Sequence, residues 1–425
     1  MPAQRETGRG KHFAHDIFRE IRKKWRGRVK VLGKIRRKYH KIMEARHPGV
    51  MVMTNCKQMK LAILSILLTA TAHCLAEPAA YSFATPERKL TFPADHGNHP
   101  DFKIEWWYIT GHLFNEAQDR FGFESTFFRI ATRPGTEKTN SLFNDDQIYM
   151  AHMAVSDLKS KQFYHEERFN REGWNAWSKT GDLDVRNGSW SLKRRPDGVL
   201  ELAGSIQSRC SFSLELTPEK PHVIFGENGV SRKGNSETAA SYYITWPRLK
   251  AEGTMALHGK NHTVKGSAWM DHEISSSQLE EDQTGWDWVS VQFDDGRELM
   301  AYMLRLKSGG YSPWSKMVWI DREGKLTHQS KGSFEWQPGG DWKSEITGAV
   351  YPISPEFTAI DPASGEKRTF LVQPLMKKQE MTGKLAGVPY WEGACDVIEK
   401  STGQTVGRAY LELAGYVDGL SERLR

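Results

Sequence analysis

Two stretches of this chain, 140 residues apart, carry residue types in the same order. The first starts at Glu252-Gly253, passes through Thr263-Val264 and ends in Gly266-Ser267-Ala268-Trp269-Met270-Asp271. The second starts at Glu392-Gly393, passes through Thr405-Val406 and ends in Gly407-Arg408-Ala409-Tyr410-Leu411-Glu412. From Glu-Gly to the closing acid there are 19 positions in one copy and 20 in the other. A repeated closing hairpin constrains the chain to a tandem pair of like β-units. Two copies of one scaffold can diverge, one keeping a site and the other supporting it.

The two units also open alike. Glu105-Trp106-Trp107-Tyr108-Ile109-Thr110-Gly111-His112-Leu113-Phe114 is aromatic and β-branched, and after a polar turn the chain returns as Phe121 to Ile130. Trp286 to Phe293 meets the turn Asp294-Asp295-Gly296 and returns as Glu298 to Arg305. Aromatic and β-branched runs separated by short polar turns read as hairpins. No stretch carries a long apolar face of helical period. The expected fold is all-β, a tandem pair of lipocalin-like antiparallel β-barrels, with residues 92–275 in the N-terminal barrel and 276–419 in the C-terminal one. The closing hairpins Glu252–Asp271 and Glu392–Glu412 are expected to superpose.

The formal net charge of +7 is a property of the start of the chain. Residues 1–50, a basic extension that reads as sequence ahead of the true start, hold 16 Lys and Arg against 4 acids. Residues 77–425 hold 41 basic and 48 acidic residues, a balance that disfavours a nucleic-acid partner. Within 51–76, Lys57 and Lys60 precede the apolar run Leu61–Ala72, and Leu75-Ala76 offers a small residue before Glu77. That is the pattern of a cleaved signal peptide and predicts a periplasmic or secreted chain beginning near Glu77, with an inner-membrane anchor through 61–76 as the alternative. After such cleavage only Cys210 and Cys395 remain. They can pair in an oxidising compartment or stay as two buried thiols. No Cys/His spacing resembles a zinc site, and there is no P-loop or dinucleotide fingerprint, so no cofactor or metal is expected.

The chain has 15 Trp, concentrated in the strand-like segments. A set this rich can fill the barrels, or it can line a cavity for a large apolar ligand. Trp269-Met270-Asp271-His272-Glu273 is the densest group of acid–base residues. Along a strand Trp269, Asp271 and Glu273 share one face, and Met270 and His272 the other. If the first face is inward, Asp271 lies beside an indole in low dielectric and stays protonated as a general acid. The alternative is a rim carboxylate bonded to backbone. Trp246, Trp107 and Trp286 are candidate ligand contacts. Glu105 points into the cavity or caps its strand, and His152 is a core histidine unless the cavity reaches it.

The strings Glu105-Trp106-Trp107-Tyr108-Ile109-Thr110-Gly111-His112-Leu113, Met150 to Asp157, Trp269-Met270-Asp271-His272-Glu273 and Gly285-Trp286-Asp287-Trp288 resemble one family. It is the carotenoid 1,2-hydratase (hydroxyneurosporene synthase) and AttH-like family of predicted secreted hydrolases, and the resemblance spans residues 92–419. It implies two lipocalin-like domains and, in some members, cofactor-free addition of water to an alkene. Related fungal proteins guide cyclisation of polyene chains. The AttH branch is encoded with ABC transporter components, which implies those as partners of a non-catalytic accessory protein. In the hydratases an aromatic-x-Asp-His string carries the proton donor. It falls here on Trp269, Asp271 and His272, with Asp271 and His272 as the catalytic candidates. Trp269 stands where the hydratases tend to have Tyr, and Glu273 where they tend to have Asn.

Overall fold

The computed structural model describes residues 80–134, 146–383 and 388–420. The basic extension and the signal-like segment lie outside the described residues. Among the described residues the only helix is a single 3-10 turn, Ala94–His96, and no helix is long and apolar enough to cross a membrane. The rest is antiparallel strand, as the aromatic and β-branched runs dictate.

Two sheets carry almost all of it. A 13-stranded sheet spans Ile104 to Ser277, and a 10-stranded sheet spans Gln283 to Ala414. In each, the first and last strands in sequence lie side by side. The opening strand Ile104–Asn115 pairs with the closing strand Lys260–Ser277, and the opening strand Gln283–Phe293 pairs with the closing strand Thr405–Ala414. Each sheet curls on itself as a near-closed barrel. Close approach is built in at equivalent glycines. A Cβ on Gly266 would sit 1.8 Å from the His112 carbonyl, and one on Gly407 would sit 2.6 Å from the Gln292 carbonyl. Only a bare backbone lets the opening strand cross so near.

The duplication is real, but its most visible signature misaligns it. Asp271 pairs with Tyr108 and with Thr245, whereas Glu412 pairs with Trp288 and with Glu392. The topological counterpart of Glu392 is therefore Thr245. Glu252 lies nearer its hairpin turn, paired with Lys265. The closing strands correspond residue by residue, and the preceding Glu-Gly does not. The turns differ in length, and strand Ala240–Leu257 carries an irregularity between Trp246 and Leu249, at Pro247, which cannot donate to the ladder.

Each barrel is filled by its own core. Trp107, Phe123, Phe127, Trp190, Trp246 and Met270 belong to the first, and Phe293, Trp319, Phe357, Phe370 and Trp391 to the second. A third apolar cluster lies between the sheets, joining Tyr108, Tyr243 and Trp269 of the first to Trp288, Tyr302 and Leu304 of the second. The expectation of a ligand space inside a barrel is corrected here, because large inward rings occupy both interiors.

Cys210 and Cys395 are both buried free thiols, one in each barrel core. Burial pushes the Cys210 thiol up to about 12 and raises that of Cys395 as well. In a chain of residues 77–425 these two thiols should therefore resist an aromatic disulfide reagent at neutral pH in the native protein and both react after unfolding in urea. Fewer than two thiols released on unfolding without reductant would reveal a disulfide.

Candidate functional site

The alternation of the closing strand Lys260–Ser277 decides which residues meet. Met270 and His272 turn into the first barrel. Trp269, Asp271 and Glu273 turn outward, toward the second sheet. A cavity of about 250 Å³ lies there, lined by both halves. Its walls are mostly rings and aliphatic groups, among them Trp106, Tyr108, Phe128, Trp286 and Trp288. Its polar lining includes Asp271, Glu273, Lys233, His152, Glu392 and Glu412 with neighbouring tyrosines.

Asp271 is 2% exposed and accepts three hydrogen bonds. Thr245 Oγ1 and Trp269 Nε1 donate to Oδ1 at 2.5 and 2.8 Å, and the Tyr243 hydroxyl donates to Oδ2 at 2.7 Å. Trp288 Nε1, from the second sheet, donates to the Tyr243 oxygen at 2.9 Å, so a chain of hydrogen bonds links the two halves at this acid. Burial pushes the Asp271 carboxyl up to about 7 against the pull of the three donors, and Glu273 adds to the rise. Glu273 is bound to the buried Lys233 at 2.9 Å and accepts from Ser241. The Lys233 ammonium lies 3.9 Å from the Tyr302 ring centre, a cation–π contact in the cavity wall.

The second half contributes acids of its own. Burial raises Glu412 to about 8, and Trp286 Nε1 donates to it at 3.1 Å. Burial and the neighbouring Glu124 and Glu412 hold Glu392 well above the usual carboxylate range, and the Tyr108 hydroxyl donates to its Oε1. His152 Nδ1 is 2.8 Å from the Tyr390 hydroxyl, which ties the third strand of the first sheet to the second half.

Of the residues expected from sequence, Asp271, His152 and Trp286 line this cavity, and Trp269 holds Asp271 from behind. Asp271 thus faces the space between the halves, not the interior of the first barrel. Glu105, Trp107, Trp246 and His272 lie on the other face of their strands, so His272 cannot orient Asp271. Trp246 packs in the first core and lies 4.5 Å, centre to centre, from the His96 ring. Trp107 stacks on His272 at 4.9 Å. The Glu105 carboxylate is wholly buried and accepts from His99 N, His99 Nδ1, His272 Nε2 and Arg129 Nε. Sequence reasoning missed Tyr243, Thr245, Trp288, Lys233 and Glu392 as site residues. The parity of Tyr243 and Thr245 in their strand was a usable signal, but the meeting of the two sheets was not.

One group among the described residues has metal-ligand geometry. One ligand atom each of His99, Glu105 and His272 lie within 4.8 Å of one another. The donor set does not fit a resident ion. Both ring nitrogens of His99 face carboxylates, Glu105 at 2.7 Å and Asp95 at 2.8 Å. Burial opposes charge on that ring, but Glu105 and Asp95 outweigh it and raise His99 to about 9. An imidazolium is no ligand, and the group reads as a structural ion cluster.

The model of the AttH-like family matches residues 83–416. An AttH protein from Nitrosomonas europaea is similar at 35% identity and a TM-score of 0.71, over 79% of this chain and 99% of that one. Kievitone hydratase from Nectria haematococca is similar at 13% identity and a TM-score of 0.56, over 80% of this chain and 98% of that one, a likeness of fold alone. No curated protein sequence matches. With the family model covering both barrels, the cavity between them and the acid at its wall, this chain belongs to the AttH-like family.

Proposed function

We propose that the protein binds a long, mostly apolar ligand bearing a double bond in the cavity between its two barrels, and that Asp271 protonates it, leading to cofactor-free hydration. The observation that carries this reading is a fully buried carboxyl on an aromatic cavity wall, its acidity shifted toward neutrality by burial. A proton donor of that strength is matched to work near pH 7. The rings of Tyr108 and Trp288 beside it are suited to a developing carbocation, because their faces carry negative potential. Capture of that cation by water gives the alcohol. Hydrolysis of an acid-labile bond uses the same donor.

A carrier role is the second reading. It is favoured by membership of the AttH-like family, since the resemblance to the AttH branch implies ABC transporter components as partners. In that reading the cavity holds its ligand for an ABC transport system and Asp271 performs no chemistry. The export signal read in residues 51–76 suits either role, in the periplasm or outside the cell.

One measurement tests the cavity that both readings share, and a second separates them. Binding of cis-parinaric acid, followed by quenching of tryptophan fluorescence, should weaken by roughly tenfold in Trp288→Ala, which removes a ring of the wall and the donor to Tyr243. Undiminished affinity would mean that the ligand lies elsewhere. Incubation with a panel of acyclic isoprenoid alkenes in oxygen-18 water should label one product oxygen if hydration occurs. Binding without label would leave the carrier reading.

A further inference from the structure

We propose that Glu412 is the proton-accepting partner of Asp271, so that the duplicated fold sets two equivalent acids against one ligand. The inference rests on the hydration reading above. Its geometric basis is the register. Asp271 lies opposite Tyr108 on the first opening strand, and Glu412 lies opposite Trp288 on the second. Two residues further on, Glu273 lies opposite Trp106 and Ala414 opposite Trp286. The acids therefore hold the same place in the two sheets, and the packing of the sheets brings both to the wall of one cavity. Each takes an indole N–H, from Trp269 and Trp286 respectively. Glu412 keeps some accessible surface, as a group awaiting a water molecule needs, and Asp271, held by three donors, reaches the wall of the same cavity. Beside Glu412, Glu392 is fully buried, lines the same cavity and has an Oε2 without a hydrogen-bond partner.

The state of the pair that carries one proton holds it mainly on Glu412, the more strongly raised of the two. The reaction runs through the minor form in which Asp271 holds the proton and gives it to one alkene carbon. The π electrons form the new C–H bond and leave a cation on the other carbon. Water attacks that carbon through oxygen and loses a proton to the Glu412 carboxylate. The product is the alcohol. Asp271 is left ionised and Glu412 protonated, and exchange with solvent resets the pair. Tyr243, Glu273, Lys233 and Tyr108 face Asp271, and Glu124, Glu392, Tyr390 and Tyr410 surround Glu412. Burial chiefly raises Glu412, the charges of Asp271 and Glu273 add to the rise, and Glu124 and Glu392 stand beside it as further carboxyls, so Asp271 titrates as one member of a group of interacting acids that includes Glu412.

The test follows the carboxyl C=O stretch by infrared titration of the full chain as wild type, Asp271→Asn and Glu412→Gln. Glutamine keeps the acceptor for Trp286, and retained cis-parinaric acid binding shows that the variant is folded. Removing either acid should lower the midpoint of the other by about one pH unit, the scale of interacting buried acids. Midpoints that ignore each other would overturn the pair. In the oxygen-18 assay, Glu412→Gln should cut turnover ~10²-fold and abolish the acid limb of the pH profile, leaving the limb in which activity falls with rising pH. Persistence of the acid limb would overturn the role. Absence of labelled product in the wild type would instead remove the hydration reading, and the infrared arm would still decide whether the two acids are coupled.

Discussion

Asp271→Asn should lower turnover by ~10²–10⁴-fold, the usual contribution of a positioned general acid, while fold and ligand affinity stay near wild type. Asparagine keeps the shape and keeps Oδ1 as the acceptor for Thr245 and Trp269. Its amide replaces Oδ2, and the Tyr243 hydroxyl can rotate to accept from it, since a hydroxyl both donates and accepts. What is lost is the proton. The sign of the pH dependence follows. The reaction needs one proton on the Asp271–Glu412 pair, whose members are raised to about 7 and about 8, so wild-type turnover should fall tenfold per unit as pH rises above about 8. A pH-independent wild-type rate from about 6 to 9, or an active Asp271→Asn variant, would remove Asp271 from the chemistry. In a carrier the same substitution leaves ligand retention intact, and loss of cavity rings does the damage.

The largest stability effect should come from the opposite face of the same strands. Glu105 neutralises Arg129 and His99, neither of which has solvent to turn to. Glu105→Gln removes the charge and offers an amide N–H to groups that are all donors. The expected loss is about 3–5 kcal/mol, the range for breaking a buried ion pair from one side, read as a lower urea midpoint. The network also sets a pH window. His99 is raised to about 9, so its contribution is fully present below its ordinary value of 6.5 and is lost as pH climbs through about 9. Burial alone would raise Glu105, but His99, His272 and Arg129 hold it well below 4.5, so its contribution is present above that value and lost on acidification. The gap between wild type and Glu105→Gln should therefore be widest near pH 5–6.5 and shrink at both ends. A gap that does not vary with pH would mean that packing, not charge, ties the network together. Ligand binding in the folded variant should persist, because Glu105 does not face the cavity.

The repeated closing strand and the two aromatic opening hairpins were enough to establish a tandem all-β chain. Strand periodicity then placed Trp269, Asp271 and Glu273 on one face and His272 on the other, because a strand alternates whatever it packs against. Periodicity has no sign, however. It cannot say whether that face looks into a barrel or out of it, since in a protein built of two sheets both faces are buried. The Glu105-Trp106-Trp107-Tyr108 string shows the consequence. Trp107 and Glu105 belong to the first barrel, Trp106 and Tyr108 to the cavity, and all four are aromatic or acidic in sequence. The mismatch of Glu252 with Glu392 has a similar origin, because a two-residue likeness carries no register and the turn and the Pro247 irregularity shifted it. The local alternation and the duplication were thus written in the chain. The meeting of Asp271 with Trp288 and Glu412 was decided only by the packing of one sheet's outer face on the other's, a contact between residues far apart in sequence that no local pattern encodes.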